Sequence, residues 1–336
     1  MNRPNYPIDF VLPWVDGSDP AWLAQKREYS VEVTSDTHSF DYQDWGLLPY
    51  WFRCIETNAP WVRNIYFVTW GHVPEWLNTD HPKLKIINHK DFIPEEYLPT
   101  FSSHTIELNL HRIKGLSEHF VYFNDDTYLY NSADPDFFFH NGLPRDCAVI
   151  NPVAPANNNC IASLKLTTAA MINEDFSKHK VIGKNLLKWY NVKYFPYGLL
   201  NVMFIPWGRF VGFYEQHLPS SMLKSTYEEV WKKQYDVLNN TCLHKFRDFK
   251  TDVNQWIMKE WQIASGNFSP RSVHAGKLIA IHNMQDAQSA AKTLRSTKMK
   301  MVCLNDHVDT ADYKEIAEVI RREFDQKFPN KSQFEK

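Results

Sequence analysis

The sequence predicts an α/β protein: a mixed sheet with helices packed on both faces. Three observations lead there. Short apolar runs alternate with segments of helical composition along the first third of the chain, the order that builds parallel strands joined by crossover helices. Those runs are apolar nearly throughout, as strands covered on both faces are. The 336 residues, 43% of them hydrophobic, can bury a large core.

Each element follows from local chemistry. "IDFVLPWV" (8–15) reads as a buried strand. "DGSDP" (16–20) is a turn, with Asp and Ser to start it, Gly for positive φ, then Pro. "AWLAQKREYS" is helical in composition, and 41–62 reads as a helix interrupted by Pro and ended by "NAP". "NIYFVTW" (64–70) and "KLKIINH" (83–89) are the second and third strands. Residues 102–119 read as a helix capped by Ser102 or Ser103, leading into a fourth strand, "FVYFND" (120–125). "NPVAPANNNC" (151–160) is a loop or linker. Helices follow in "IASLKLTTAAMINEDF", in "SMLKSTYEEVWKKQYDVLNN" and over 251–266, where Gly266 sits at the carboxyl end. Residues 277–283 and 299–306 are late strands, and the tail 311–328 is an amphipathic helix with paired charges. The division this suggests is an α/β part over 1–150, a mostly helical part over 151–270, and 271–336 returning to the core.

Bulk composition excludes several functions. The net charge of −2 gives no overall field to attract nucleic acid or an anionic membrane. Five scattered cysteines without a CxxC pair point to buried free thiols in a reducing compartment. "MNRPNYPIDFVLPW" lacks the apolar core of a signal peptide, and no stretch approaches a membrane span, so a cytoplasmic location is expected. The 12 Trp are either core filler or platforms for sugar faces.

The chemistry gathers on acids at strand ends. Ligands of such sheets bind beyond the carboxyl ends of the strands. Asp16 and Asp19 follow the first strand; Asp125 and Asp126 close the fourth. Neighbouring carboxylates suit Mg²⁺ or Mn²⁺, and the cation offsets their repulsion; a solvated turn accounts for the same pair. Asp16 either orients a ligand or bonds its own backbone. His104 and His111 lie close to one helix face, with Arg112 beside the second. His217, in irregular backbone before Pro219, has the chemistry of a general base. Arg247 can fork onto phosphate oxygens or pair with Asp248 and Asp252.

Longer strings carry a resemblance. "IDFVLPWVDGSDPAW" (8–22), the stretch 41–130 ending in "FVYFNDDTYLY", "GRFVGFYEQHLPSSMLKSTYEEVW" (208–231) with "KFRDFKTDVNQWIMKEWQIASGNF" (245–268), and "MVCLND" (301–306) with "FPNKSQFEK" (328–336) resemble the blocks of the Stealth-type sugar-phosphate transferases. That family includes bacterial capsular and exopolysaccharide phosphotransferases and, distantly, the N-acetylglucosamine-1-phosphotransferase of animals. The first block reads "FVLPWVDGSDP" where the family often has "VYTWVDGSDP", and "HLPSS" is poorer in Pro and Arg than usual. Segment 145–207 matches weakly and is where acceptor choice would reside.

The resemblance implies a Rossmann-like, glycosyltransferase-A-like nucleotide-sugar-binding core with a helical insertion. It implies a UDP-sugar donor, Mg²⁺ or Mn²⁺, and a glycan or lipid-linked oligosaccharide acceptor, the latter bringing the enzyme to the inner membrane face. Carried over by position, Asp125 and Asp126 match the family's acidic pair, His217 its third-block His, Arg247 the Arg of the "FR" segment, and Asp16 and Asp19 the first-block turn. In-line attack on phosphorus needs a base, a charge clamp and a cation, which assigns His217 as base with His104 as the alternative, Arg247 as phosphate clamp, and Asp125 and Asp126 as metal ligands. Asp16, Asp19, Trp14, His104 and Arg112 are expected around the nucleotide. Two other functions fit parts of the pattern: a glycosyltransferase that releases UDP, and a non-catalytic carbohydrate-binding protein.

Overall fold

The computed structural model describes residues 4–30, 45–154, 160–308 and 312–336. Its strands are β1 (Ile8–Pro13), β2 (Ile65–Thr69), β3 (Leu84–Asn88), β4 (His119–Tyr122), β5 (Thr127–Leu129), β6 (Phe139–His140), β7 (Leu143–Asp146), β8 (Ser220–Leu223), β9 (Ser269–Pro270), β10 (Gly276–Ile281) and β11 (Met301–Asp306). The helices are α1 (Pro20–Tyr29), α2 (Leu48–Asn58), α3 (Ser103–Asn109), α4 (Pro135–Phe138), α5 (Cys160–Asp175), α6 (Lys178–Lys184), α7 (Leu186–Trp189), α8 (Leu199–Met203), α9 (Lys224–Lys233), α10 (Tyr235–Leu243), α11 (Trp256–Ser265), α12 (Met284–Ser296) and α13 (Tyr313–Lys327).

The fold is α/β, a mixed sheet flanked by helices. The main sheet runs β3-β2-β1-β4-β8. The first four strands are parallel and β8 is antiparallel to β4. Side chains alternate across it, as a period of two requires. Phe10, Leu12, Phe67 and Val121 enter one core with α2, α12 and α13. Val11, Tyr66, Val68, Phe120 and Tyr122 enter a second core with the helices of the insertion. Because β1 to β4 are parallel, their carboxyl ends share one edge.

The structure shifts several expected elements. Pro49 does not interrupt α2; it occupies the first turn, where its missing N–H costs nothing. Residues 41–44 lie outside the described residues. Ser102 is the cap of α3, though its side chain makes no cap bond. That helix ends at Asn109 instead of running to 119, and the chain turns at Gly115, φ +85°, to enter β4. β4 stops at Tyr122, so the acids stand in the turn after it, and β5 follows at once. The single helix expected from Ser221 is instead β8, then α9, then α10 after a break at Gln234. Ser220–Leu223 is a strand because the free edge of β4 pairs with it. Residues 155–159 of the loop 151–160 lie outside the described residues, and Cys160 already begins α5. Gly266 ends α11 in the left-handed conformation, φ +81°. The late strands form a second sheet, β10-β11-β5, while their apolar side chains join the core that also holds α2.

Candidate active site

The turn after β4 carries the centre. Phe123 donates to Val11 O at 2.9 Å, which fixes the turn against β1. The two acids then part: Asp125 is exposed and Asp126 is half-buried. Asp126 Oδ2 lies 3.5 Å from His217 Nε2. It accepts from Cys303 Sγ at 3.1 Å and from Asn305 Nδ2 at 3.5 Å. Asp126 Oδ1 is buried with no hydrogen-bond partner. Cys303 and Asn305 reach the turn because β11 pairs antiparallel with β5.

His217 adopts φ +49°, uncommon for a residue with a Cβ. Glu215 holds this conformation: its Oε1 accepts from Gln216 N at 3.0 Å and His217 N at 3.2 Å. Lys259, buried on α11, fixes Glu215 with contacts of 2.9 and 2.8 Å and lies 3.6 Å from Asp146. The ring meets Asn124 as well, whose Nδ2 is 3.0 Å from Nε2. Asn124 Oδ1 in turn accepts from Tyr122 Oη, which lies 3.1 Å from Glu107 Oε1 as well.

Charge follows from this geometry. Burial disfavours the charged imidazole, but Asp126, Glu215 and Glu107 outweigh it and hold the His217 pKa up at about 9. Burial works against the Asp126 carboxylate too; His217 overrides it and keeps Asp126 below the ordinary range. A ring nitrogen that donates to Asp126 and one that accepts from Asn124 are the two protonation states of one site. Burial and the Asp126 charge push the Cys303 thiol well up, so sulfur acts there as a donor that steadies the carboxylate.

The other predicted residues divide. Asp16, Asp19, Trp14, His104 and Arg247 come to the same edge. Asp16 Oδ1 accepts from Ser18 N at 2.9 Å and Ser18 Oγ at 2.6 Å, an Asx-turn. Asp19 caps α1, accepting from Ala21 N at 2.8 Å and Trp22 N at 3.0 Å. His72 joins the two, accepting from Asp16 N at 2.8 Å and lying 3.4 Å from Asp19. Burial pulls its pKa down. Trp14 packs on Phe67 and meets the His72 ring edge-on. His104, at the start of α3, is buried with Nδ1 3.1 Å from Asp252, which also takes His244 Nδ1 at 2.7 Å. The guanidinium of Arg247 sits 5.8 Å from the centre of the Phe249 ring. Phe246 beside it stacks on Phe101, and both join Trp22, so the 245–247 segment closes over the first turn.

Arg112 is not brought to this edge. It lies where the chain approaches the amino end of β4, bonded to Asn109 at 2.9 Å and set over Trp231. Sequence reasoning missed Asn124, Glu107, Cys303, Asn305, Glu215, Lys259, His72 and Asp252. Cys303 and Asn305 both lie in "MVCLND", a block that carried no assigned role.

A buried carboxylate oxygen without a hydrogen-bond donor thus stands beside an imidazole at the carboxyl edge of a mostly parallel sheet in an α/β fold. Three conserved regions of the Stealth proteins match the chain: conserved region 1 over 6–31, conserved region 2 over 41–146 and conserved region 4 over 292–336. A "Capsular polysaccharide phosphotransferase WcwK" of Streptococcus pneumoniae is 42% identical over 98% of both chains. The "Exopolysaccharide phosphotransferase cps2G" of Lactiplantibacillus plantarum is 37% identical over 98% of this chain and 97% of its own. Among solved structures, a galactosyltransferase LgtC in complex with donor and acceptor sugar analogs overlaps 94% of this chain and 95% of its own, at 9% identity and a TM-score of 0.41. The chain belongs to the Stealth family, and it is a transferase. Among the described residues no helix is long and apolar enough to cross a membrane.

Proposed function

We propose that the protein moves hexose-1-phosphate or N-acetylhexosamine-1-phosphate from a UDP-sugar to a glycan hydroxyl, building a phosphodiester into a capsular or exopolysaccharide on the cytoplasmic side of the membrane. The observation that carries this is Asp126: one oxygen engaged by His217, Cys303 and Asn305, the other buried and unpartnered at the ligand-binding edge. Full-length identity to proteins named phosphotransferases supports attack on phosphorus over attack on carbon.

Asp126 Oδ1, with the exposed Asp125 carboxylate on the same turn, fits a hard cation that takes one or two carboxylates and completes its shell with substrate phosphates. Asp126 and Asp125 would hold Mg²⁺ or Mn²⁺ there, which would supply charge compensation to the diphosphate and weaken the hold of Asp126 on the His217 proton. The acceptor oxygen attacks the sugar-linked phosphorus, and His217 takes the hydroxyl proton at Nε2. The bond from that phosphorus to the bridging oxygen breaks, and UMP leaves with the electron pair. Arg247 meets the phosphoryl oxygens. Asp16, Asp19 and Trp14 shape the nucleotide end.

A second assignment of the base has its own support. His104 is oriented by a buried carboxylate on Nδ1, the arrangement that fixes tautomer and direction in a general base. The pH profiles of His217→Ala and His104→Ala separate the two, since only loss of the base removes a titrating limb. The reaction is tested with UDP-sugars and glycan acceptors by phosphorus NMR. UMP with a phosphodiester product supports phosphotransfer; UDP with a phosphorus-free product overturns it.

A further inference from the structure

The net charge of −2 conceals a local asymmetry. From Phe176 to Tyr214 the chain has no Asp or Glu, but it has Lys178, Lys180, Lys184, Lys188, Lys193 and Arg209. Within the same stretch, residues 186–207 expose 11 of the 17 large hydrophobic side chains that face solvent among the described residues, Leu187 at 86% and Val192 at 90%. Scattered apolar exposure is ordinary; this concentration is not.

The exposure is built in. Trp189 and Tyr194 are fully buried and anchor the segment from within. Asn201, also buried, donates to Ala148 O and Trp189 O and accepts from Ile150 N. Buried Lys178 ties the carbonyls of Phe204, Ile205 and Trp207 together. Lys188 and Lys193 bond the carbonyls of Gly266 and Pro270. None of the five lysines, nor Arg209, pairs with a carboxylate among the described residues, so their charge is not neutralised locally.

We propose that this face seats the protein on the surface of an anionic lipid bilayer. Exposed Leu187, Val192 and Phe195 supply apolar area for the acyl boundary, and Tyr190, Tyr197 and Trp207 have the amphipathic rings that settle at headgroup level. Lys180, Lys184 and Arg209 supply the attraction to anionic headgroups. A second copy of the chain is the poorer occupant, because a two-fold contact would set one acid-free basic face against another.

The face adjoins the centre described above. Tyr197 stacks on Tyr214, three residues before His217. Val273 donates to Lys193 O and accepts from Gln216 Nε2, next to His217. Seated this way, the protein holds its cleft beside the membrane, where a lipid-linked acceptor would present its hydroxyl. That last step rests on the phosphotransfer reading; the seating does not.

The test is flotation of the full chain with vesicles of phosphatidylcholine alone or mixed with phosphatidylglycerol, without donor or acceptor. Flotation with the anionic vesicles only is expected. Lys180→Glu/Lys184→Glu/Arg209→Glu should lower partition at least about hundredfold, at about fivefold for each basic residue lost. Leu187→Ser/Val192→Ser/Trp207→Ser should lower it at least about tenfold. These side chains are exposed, so the thermal midpoint stays within a few degrees and a loss of binding is not a loss of fold. The proposal is overturned if the wild type ignores anionic vesicles, binds neutral ones equally, or binds as before in both variants. It is also overturned if the apolar variant dissolves a dimer seen by light scattering while vesicles are not bound, which would assign the face to a second copy.

Discussion

Two acidic turns follow strands of one sheet at one edge, and their carboxylates are employed differently. After β1, Asp16 and Asp19 satisfy their own backbone: one closes an Asx-turn and the other caps α1. After β4, Asp126 reaches across the chain to residues 217, 303 and 305, and one of its oxygens has no hydrogen-bond partner. Residue type and position along the strand are alike. What separates them is that local backbone donors satisfy Asp16 and Asp19, while Asp126 Oδ1 has none.

The comparison breaks if the β4 turn tolerates substitution. His217→Ala should lower kcat by about 10²–10⁴-fold, and Asp126→Asn by about 10²–10³-fold with weaker cation dependence. Both should keep a cooperative thermal transition, and removal of divalent cation by EDTA should abolish turnover. The support behind His217 should respond in stability as well. Lys259→Met leaves Glu215 and Asp146 buried without their cation, at a cost of about 3–5 kcal/mol in denaturant unfolding.

The metal-free protein supplies a third test. The folded-state pKa of His217, about 9, is above its unfolded value of roughly 6.5. The ring's contribution to stability is therefore complete below about pH 6.5 and is lost as pH rises through 9. A plot of thermal midpoint against pH should fall across that window, and His217→Gln should flatten it. The β1 turn should give the smallest effects. Asp19→Ala removes a cap worth about 1 kcal/mol, read as a lowered midpoint, and leaves kcat within a few-fold at saturating donor. If Asp19→Ala instead matches Asp126→Asn in rate loss, the two turns do the same work.

Much of the first sheet was legible because β1 and β2 are nearly continuous apolar runs, buried on both faces, and the half-buried edge strand β3 still carries the apolar pair Ile86 and Ile87. β8 was not, since "SSML" acquires its strand character from the edge of β4. The acids of the site were visible as an acidic pair closing an apolar run. Their partners were not: Cys303 is 177 residues from Asp126, and Asp252 is 148 from His104. Those contacts depend on strand pairing and helix packing that no local pattern encodes. Arg112 was misplaced for a related reason. The short helix and turn from Ser103 carry the chain from the carboxyl edge to the amino end of β4.

The turn at 123–126 joins the last parallel strand of the large sheet directly to β5 of the small one. Asp126 therefore stands on a seam, with His217 approaching from one sheet and Cys303 and Asn305 from the other. A ligand held there would touch residues of both sheets at once, and those sheets share one apolar core through Phe10, Leu12, Val302 and Leu304. A chain cut after residue 270 would lose one side of that seam, since the final 66 residues carry the strand that completes it.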